Sequence, residues 1–390
     1  MRKIFFVANY LALKEVWRNR GRFFLVSLVI ALITLLVLFI AALGEGLGNG
    51  NREYISKLDG ELIVYQAKSD SLIAASRLDS SRLAGVRRVE GVADAGMLGT
   101  SSTTLILPDD SKNFKVALLG VEPGHVGEPQ VLIGQQLSTD LADEVIIDRN
   151  TAIRSNLGLG DNLVMRTTQG TKDEFFSMRI VGISDGQQYS LQPSIFVPFY
   201  TWDRIRSKSE AEVNSSNPIA NVILVKVENP ELAEDVQARI ANQVNNVEAA
   251  TIKNAIQALP GYSAQQSTLN TQGGFTLFIG ILVIGGFFQI QILQKVAQIG
   301  VLKAIGADNP MVAAASILQI VVVTVIGVAI GGLLSFLFSL TFPPTVPIVF
   351  NGTTSAIALI ALLLIGPLGG LISIRYAVKI EPLKALGLSS

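Results

Sequence analysis

Cysteine is absent from the 390 residues, and histidine occurs once, as His125. The first absence excludes disulfides, thiolate metal sites and a cysteine nucleophile. The second excludes HExxH and paired-histidine metal centres; His125 lies in the turn-rich GVEPGHVGEP and reads as a surface-loop residue. Charge is also scarce, at 16% of residues against roughly 25% in an ordinary soluble domain. The dipeptide Gly-Lys never occurs, so no GxxxxGK[ST] loop is present to cradle nucleotide phosphates. Aspartates and glutamates are scattered, with no paired carboxylates suited to acid–base chemistry. The chain is therefore expected to carry no catalytic site and no metal. With a formal net charge of zero it shows no footprint for nucleic acid.

What the chain has instead is four long stretches without an ionisable residue: Phe23–Leu43, Gly273–Leu293, Met311–Phe342 and Thr353–Ile374. About 20 apolar residues cross a bilayer's hydrocarbon core, so each stretch reads as a transmembrane helix. Buried helices of soluble proteins rarely run uncharged for this long. The first stretch exceeds the roughly 7–15 apolar residues of a signal peptide, and reads as a retained span. The third is longer than a span needs, and can tilt or extend past the bilayer.

Charge sets the expected orientation. The first 22 residues, the 294–310 loop and the tail from Arg375 together hold 11 basic and 3 acidic residues. That leaves 20 basic and 28 acidic residues in Gly44–Gln272, a net charge of −8. The positive-inside rule then puts both termini and the 294–310 loop in the cytoplasm. The expected organisation is a cytoplasmic amphipathic N-terminal helix (1–22), a first span (23–43), a large external domain (44–272) and a second span (273–293). A cytoplasmic loop (294–310), a third span (311–342), a short external loop (343–352), a fourth span (353–374) and a cytoplasmic tail (375–390) complete it. The N-terminal helix would lie in the headgroup region, its cations near anionic lipid.

The external domain alternates strand and helix patterns. ELIVYQ, KVALLGVEP, FFSMRIVGIS, SIFVPF and ANVILVKV read as strands. SSRLAGVRRVEGV and ELAEDVQARIANQV carry helical spacing. DEVIIDRNTAIRSNLGLGDNLVM reads as strand, helix, glycine turn, strand. An α+β domain with mixed sheets follows. After Ala250 a polar helix is expected to return toward the second span, broken at Pro260-Gly261.

Within the spans, Gly327-x-x-x-Gly331 and Gly366-x-x-x-Gly370 are small-xxx-small pairs that allow close helix contact. A candidate substrate groove lies where Ala41–Tyr54 leaves the membrane beside Gln272–Phe278. It would use Glu45, Tyr54, Phe275 and Phe278, with Tyr54 or Glu45 as the ligand if the substrate were haem. In QKVAQIGVLKAIGADNP, Gln294–Pro310, a short helix is expected over Gln294–Ile305 with Gly306 as its left-handed cap. Asp308 or Asn309 would cap the next helix, with Pro310 in its first turn. Ile299, Leu302 and Ile305 form an apolar ridge, with Lys303 at its rim. On physical grounds it is either a docking knob or a plain hairpin between two spans.

QIGVLKAIGAD resembles the EIGxLKAxGA signature that follows the second span in the FtsX/MacB family of ABC-transporter permeases. IEPLKALG, Ile380–Gly387, is similar to that family's terminal xxPxxALR segment, with Gly387 in place of the basic residue. IGQQLSTD, LGLGD and FSMRIVGIS match the order of motifs in the family's external core domain, the MacB-like periplasmic core domain. The stretch RGRFFLVSLVIALITLLVLFIAALGEGLGNGN looks closest to HrtB-like haem and small-molecule exporters.

The resemblance implies a permease subunit in the bacterial inner membrane, with ATP and Mg held by a separate dimeric cytoplasmic ATPase. It implies a second permease copy, most simply a homodimer, and is compatible with a periplasmic adaptor. Ile299, Leu302, Lys303, Ile305 and Gly306 would then belong to a coupling helix. That helix passes ATPase motion to the external domain by mechanotransmission, exporting an amphiphile such as a lipid, lipoprotein, peptide, drug or haem. The alternative is an FtsX-like signalling scaffold that regulates a cell-wall hydrolase without transport. The acidic external domain suits contact with anionic envelope polymers less well than a basic one would.

Overall fold

A computed structural model describes residues 14, 17–107, 113–209, 218–341 and 348–379. Most of the N-terminal helix expected over 1–22, part of the 343–352 loop, and the IEPLKALG segment lie outside the described residues. The chain divides into two compact units, one of residues 1–46 with 266–390 and one of residues 47–265.

The elements follow in chain order. Helix α1 runs Arg20–Ser56 and supplies residues to both units. The second unit continues with β1 (Leu62–Gln66), β2 (Leu78–Asp79), α2 (Ser81–Arg87), β3 (Val92–Ile106), β4 (Phe114–Val121) and β5 (Val131–Gly134). Next come β6 (Glu144–Asp148), α3 (Arg149–Ser155), β7 (Asn162–Gln169), β8 (Lys172–Ser184), β9 (Ser194–Pro198) and α4 (Phe199–Ile205). It closes with β10 (Ile219–Ala220), β11 (Val222–Val227), a 3-10 turn at Pro230–Leu232, α5 (Ala233–Gln243), β12 (Val247–Thr251) and α6 (Ile252–Ala258).

Among the described residues, ten of these strands form one mixed sheet in the order β12-β1-β11-β3-β4-β9-β6-β8-β5, with β7 bridging β3 and β8. The pairs β4–β9 and β6–β8 are parallel; the others are antiparallel. Successive side chains of a strand point to opposite faces. Because helices cover both faces, strands such as LIVYQ are buried on both. Leu62 and Val64 join a core beneath α2, α4 and α5, where Val86, Trp202 and Ile240 pack. Ile63 and Tyr65 face a second core that takes in Tyr54 and Ile55 from the end of α1 and Ala255 from α6.

Two sharp features fix this domain. Gly99 and Gly120 are paired across β3 and β4, and a Cβ on either would strike the Trp202 ring. Trp202 stacks on Phe199 with ring centroids 5.5 Å apart, and its Nε1 donates to Ser101 Oγ at 3.0 Å. Asp148 caps α3: its Oδ1 accepts from the Thr151 amide at 2.6 Å in a fully buried position. Burial pushes the Asp148 carboxyl up, against the lowering pull of hydrogen bonds from Thr151, Ser194 and Gln187.

The first unit holds the start of α1 together with α7 (Tyr262–Gln294), α8 (Val296–Ala304), α9 (Asn309–Ser339) and α10 (Gly352–Val378). Among the described residues, four helices are long and apolar enough to cross a membrane, over Arg20–Gly48, Tyr262–Gln294, Asn309–Ser339 and Gly352–Arg375. The fold is thus a four-helix membrane bundle with a large α+β domain. Helices α1 and α7 run past the charge-free stretches: no proline interrupts them, α1 continuing through Gly44, Gly46, Gly48 and Gly50, and Pro260-Gly261 stands just before α7.

Glycines set the bundle's contacts. On α9, a Cβ at Gly327 would lie 2.8 Å from the Ser27 carbonyl, and one at Gly331 would lie 2.5 Å from the Ala31 carbonyl, both on α1. On α10, Gly366 sits against Thr324 and Gly370 against Ile320, both of α9. Gly285 of α7 and Gly369 of α10 meet backbone to backbone. Bonds from Ser27 Oγ to the Val323 carbonyl (3.3 Å) and from Ser373 Oγ to the Gly285 carbonyl (3.2 Å) reinforce the seams.

Candidate functional site

The short α8 is set off from α7 at Lys295, whose φ of −107° and ψ of 5° leave the regular helix. Its end is a Schellman motif. The Gly306 amide donates to the Lys303 carbonyl at 3.1 Å, and the Ala307 amide to the Leu302 carbonyl at 3.0 Å. Gly306 has φ +103°, which a side chain adopts only with strain. Asp308 then occupies the N-cap position of α9 with Pro310 in the first turn; its side chain makes no capping bond.

The three ridge residues do not share a face. Ile299 and Leu302 are half-buried and pack on a cluster of Ile292 from α7, Val312 from α9 and Ala377 from α10. Ile305 is 77% exposed. The correction has a geometric cause. A spacing of three falls short of the 3.6-residue turn, so positions i and i+6 diverge by about 120° around the axis. Ile305 also lies past the last helical residue, Ala304. The outward face consists instead of Ala297, Gln298, Val301 and Ala304, continued by Ile305. Val301, which sequence reasoning missed, is 46% exposed. Its four-residue spacing from Ala297 was the available signal. Lys303 is no rim residue: its Nζ donates to the Val378 carbonyl at 2.6 Å, near the end of α10.

The expected groove residues are not brought together. Tyr54 is 1% exposed within the α+β core, its ring 5.7 Å from Phe196 and 6.2 Å from Tyr189, and its hydroxyl donates to the Gly127 carbonyl at 3.4 Å. Burial, and secondarily the nearby Tyr189, push its hydroxyl far above the ordinary tyrosine range. A neutral, enclosed phenol is no haem ligand, which would be a tyrosinate facing the iron. Tyr54 is therefore withdrawn from the groove. Glu45 Oε1 accepts from Asn351 Nδ2 at 3.3 Å, just before α10. Phe275 and Phe278 stand on the outward face of α7, 63% and 56% exposed.

His125 is held by a carboxylate: its Nδ1 lies 2.8 Å from Asp94 Oδ1, while Asp94 Oδ2 accepts from the Val126 amide at 2.8 Å. Burial raises the Asp94 pKa, but these bonds outweigh it and hold the carboxyl below its ordinary value. Among the described residues no group of three or more histidine, aspartate or glutamate side chains could hold a metal ion.

Comparison with known proteins agrees in both units. The MacB-like periplasmic core domain family matches residues 23–243, and the FtsX-like permease C-terminal family matches residues 271–382. A protein named as a hemin transport system permease, HrtB, from Staphylococcus haemolyticus is 24% identical over 97% of this chain and 99% of its own. An uncharacterised ABC transporter permease of Mycobacterium tuberculosis is 25% identical over the same shares. The periplasmic region of MacB from Actinobacillus actinomycetemcomitans is 14% identical with a TM-score of 0.37, covering 53% of this chain and 95% of that one.

Proposed function

Since the chain belongs to the ABC-transporter permeases of the MacB/FtsX type, we propose that it is the membrane half of an exporter whose ATP hydrolysis resides in a separate cytoplasmic subunit. The ATPase, as a dimer, docks on the outward face of α8 in each of two permease copies. The excess of basic residues before α1, in the α8 loop and in the tail supports placing these on the cytoplasmic side. Closure of the ATPase dimer moves α8, and the motion passes through the bundle to the external domain. The substrate class is amphiphilic: a lipid, lipoprotein, peptide, drug or haem. Haem belongs in that set because the Staphylococcus relative is named for hemin transport.

The observation that carries this reading is the division of α8 into two apolar sides. One side, through Ile299 and Leu302, is used within the chain; the other, through Val301 and Ile305, faces away from it. A helix that served only as a connection would need no second apolar side. Burying an aliphatic side chain contributes roughly 1.5–3 kcal/mol, and an aspartate in its place would be desolvated as well. Val301→Asp with Ile305→Asp should therefore lower co-purification of the ATPase by more than tenfold, with permease yield unchanged. Leu302→Asp should instead reduce permease yield, because Leu302 packs inside the bundle. Full ATPase recovery with the Val301/Ile305 pair would reduce α8 to a hairpin.

A further inference from the structure

The membrane bundle contains a recess that none of these roles uses. It is a half-open recess of about 280 Å³ between α1 and α9, lined by Leu35, Leu36, Phe39, Ser335, Phe338 and Phe350. Its depth follows from the chain: residues 35–39 belong to the second half of the first span, and 335–338 to the last turns of α9. Phe350, just before α10, completes the lining, and its neighbours are anchored. The Val349 amide donates to the Ala42 carbonyl at 3.0 Å, and Asn351 Nδ2 donates to Glu45.

The lining decides what fits. A trapped water needs two to four polar partners, and Ser335 is the single polar side chain here. A charged or strongly polar group would lose its hydration without replacement. The occupant is thus apolar. The volume is about twice the ~150 Å³ cavity that takes up benzene. If a methylene occupies about as much room as water's ~30 Å³ share of the liquid, roughly nine fit. That is room for one alkyl tail, so a second acyl chain or a tetrapyrrole would have to lie outside the recess.

We propose that this recess binds the alkyl tail of a single-chain amphiphile from the outer leaflet, with the head beyond Phe350 at the level of Asn351. The assignment rests on the exporter reading for its outer-leaflet placement, and deepens it by naming the substrate class. Full-length permease in lipid nanodiscs provides the test. Leu32, 54% exposed and one turn before Leu35 and Leu36 on the same side of α1, takes a tryptophan reporter as Leu32→Trp; Phe278→Trp on α7 is the control. The ligand is a phosphocholine with one brominated dodecyl chain, whose bromine quenches tryptophan on contact.

Quenching at Leu32→Trp should saturate, and adding Phe338→Ala should raise half-saturation at least fivefold. Phe338 is half-exposed, so the bundle should tolerate its loss. Phe278→Trp should show only the unsaturable quenching of partitioning. Across a chain-length series, the saturable part should strengthen up to about nine carbons and then level, while partitioning keeps rising. Absence of saturation, equal saturation at Phe278→Trp, or indifference to Phe338→Ala would each overturn the assignment. Displacement of the tail by hemin would also overturn it. ATPase co-purification from the same preparations separates the two readings: tail binding lost with pairing intact rejects the recess alone, whereas lost pairing rejects the exporter.

Discussion

Gly331 in the membrane bundle and Gly120 in the α+β domain both lie against something that a methyl group would strike. For Gly331 it is the backbone of α1, at the Ala31 carbonyl; for Gly120 it is the Trp202 ring. The difference follows from the solvent. Lipid tails are as apolar as leucine, so helices in a bilayer gain little by burying large side chains and associate by close contact. In water, removing a large aromatic surface is itself favourable, and the sheet opens a place for the ring at Gly99 and Gly120. The bundle is thus sensitive to an atom added, and the domain to a ring removed.

The largest effect should come from removing the ring. Trp202→Ala vacates the space over two glycines and should cost about 3–5 kcal/mol, read as earlier exchange of β3 and β4 amides in the full-length protein. Exchange unchanged from wild type would mean that the sheet holds without its ring. Next is Gly331→Leu, which overpacks the α1–α9 seam and should cost about 3 kcal/mol, seen as loss of a monodisperse peak and a lower melting temperature. Gly286→Leu is the paired control, since nothing lies within 4 Å of a Cβ there. Equal behaviour of the two leucine variants would break the comparison.

A smaller effect is expected at the end of α8. Gly306→Ala meets no atom within 4 Å, so only its positive φ resists, at about 1–2 kcal/mol. Exchange should quicken at the Gly306 and Ala307 amides and nowhere in the domain; spread of the effect into β strands would contradict a local cap. The smallest concerns acid. Burial holds the Asp148 pKa above its unfolded value, so its contribution is fully present below the ordinary carboxylate range and declines as pH rises through the raised value. Asp148→Asn keeps an accepting oxygen for the cap and should flatten that decline in domain melting. A wild-type domain that gained stability through this window, relative to the variant, would reverse the sign.

Much of the fold was legible because it rests on strong local patterns. LIVYQ, EVIID, SIFVP and VILVKV are nearly continuous apolar runs, and they are strands. The long β3 escaped notice because VADAGMLGTSSTTLI holds two glycines and a TSSTT run, with no regular alternation. Besides the adjacent β4, its partners are distant in sequence: β11 and β7. At the candidate site, the helix, its glycine stop and the following proline could be read directly. The direction of each face could not, because a nine-residue helix offers too few turns to separate a spacing of three from one of four. Tyr54 looked available because it lies eleven positions past Leu43, the last residue of the first charge-free stretch. Its burial depends on Phe196 and Tyr189, more than 130 positions away.

The footing of α8 gives the bundle a mechanical asymmetry. Ile299 and Leu302 rest on residues of three long helices, α7, α9 and α10, and Lys303 adds a tether to the α10 terminus. Among the described residues α1 supplies none to that cluster; it packs with the other three through Phe23, Val26, Ile30 and Val37. Of the four posts, α7, α9 and α10 thus carry α8 by apolar packing, and the fourth, α1, meets it where the Phe23 ring lies 5.6 Å from Lys295 Nζ. The fourth post is the one whose far end, at Tyr54 and Ile55, is built into the core of the α+β domain.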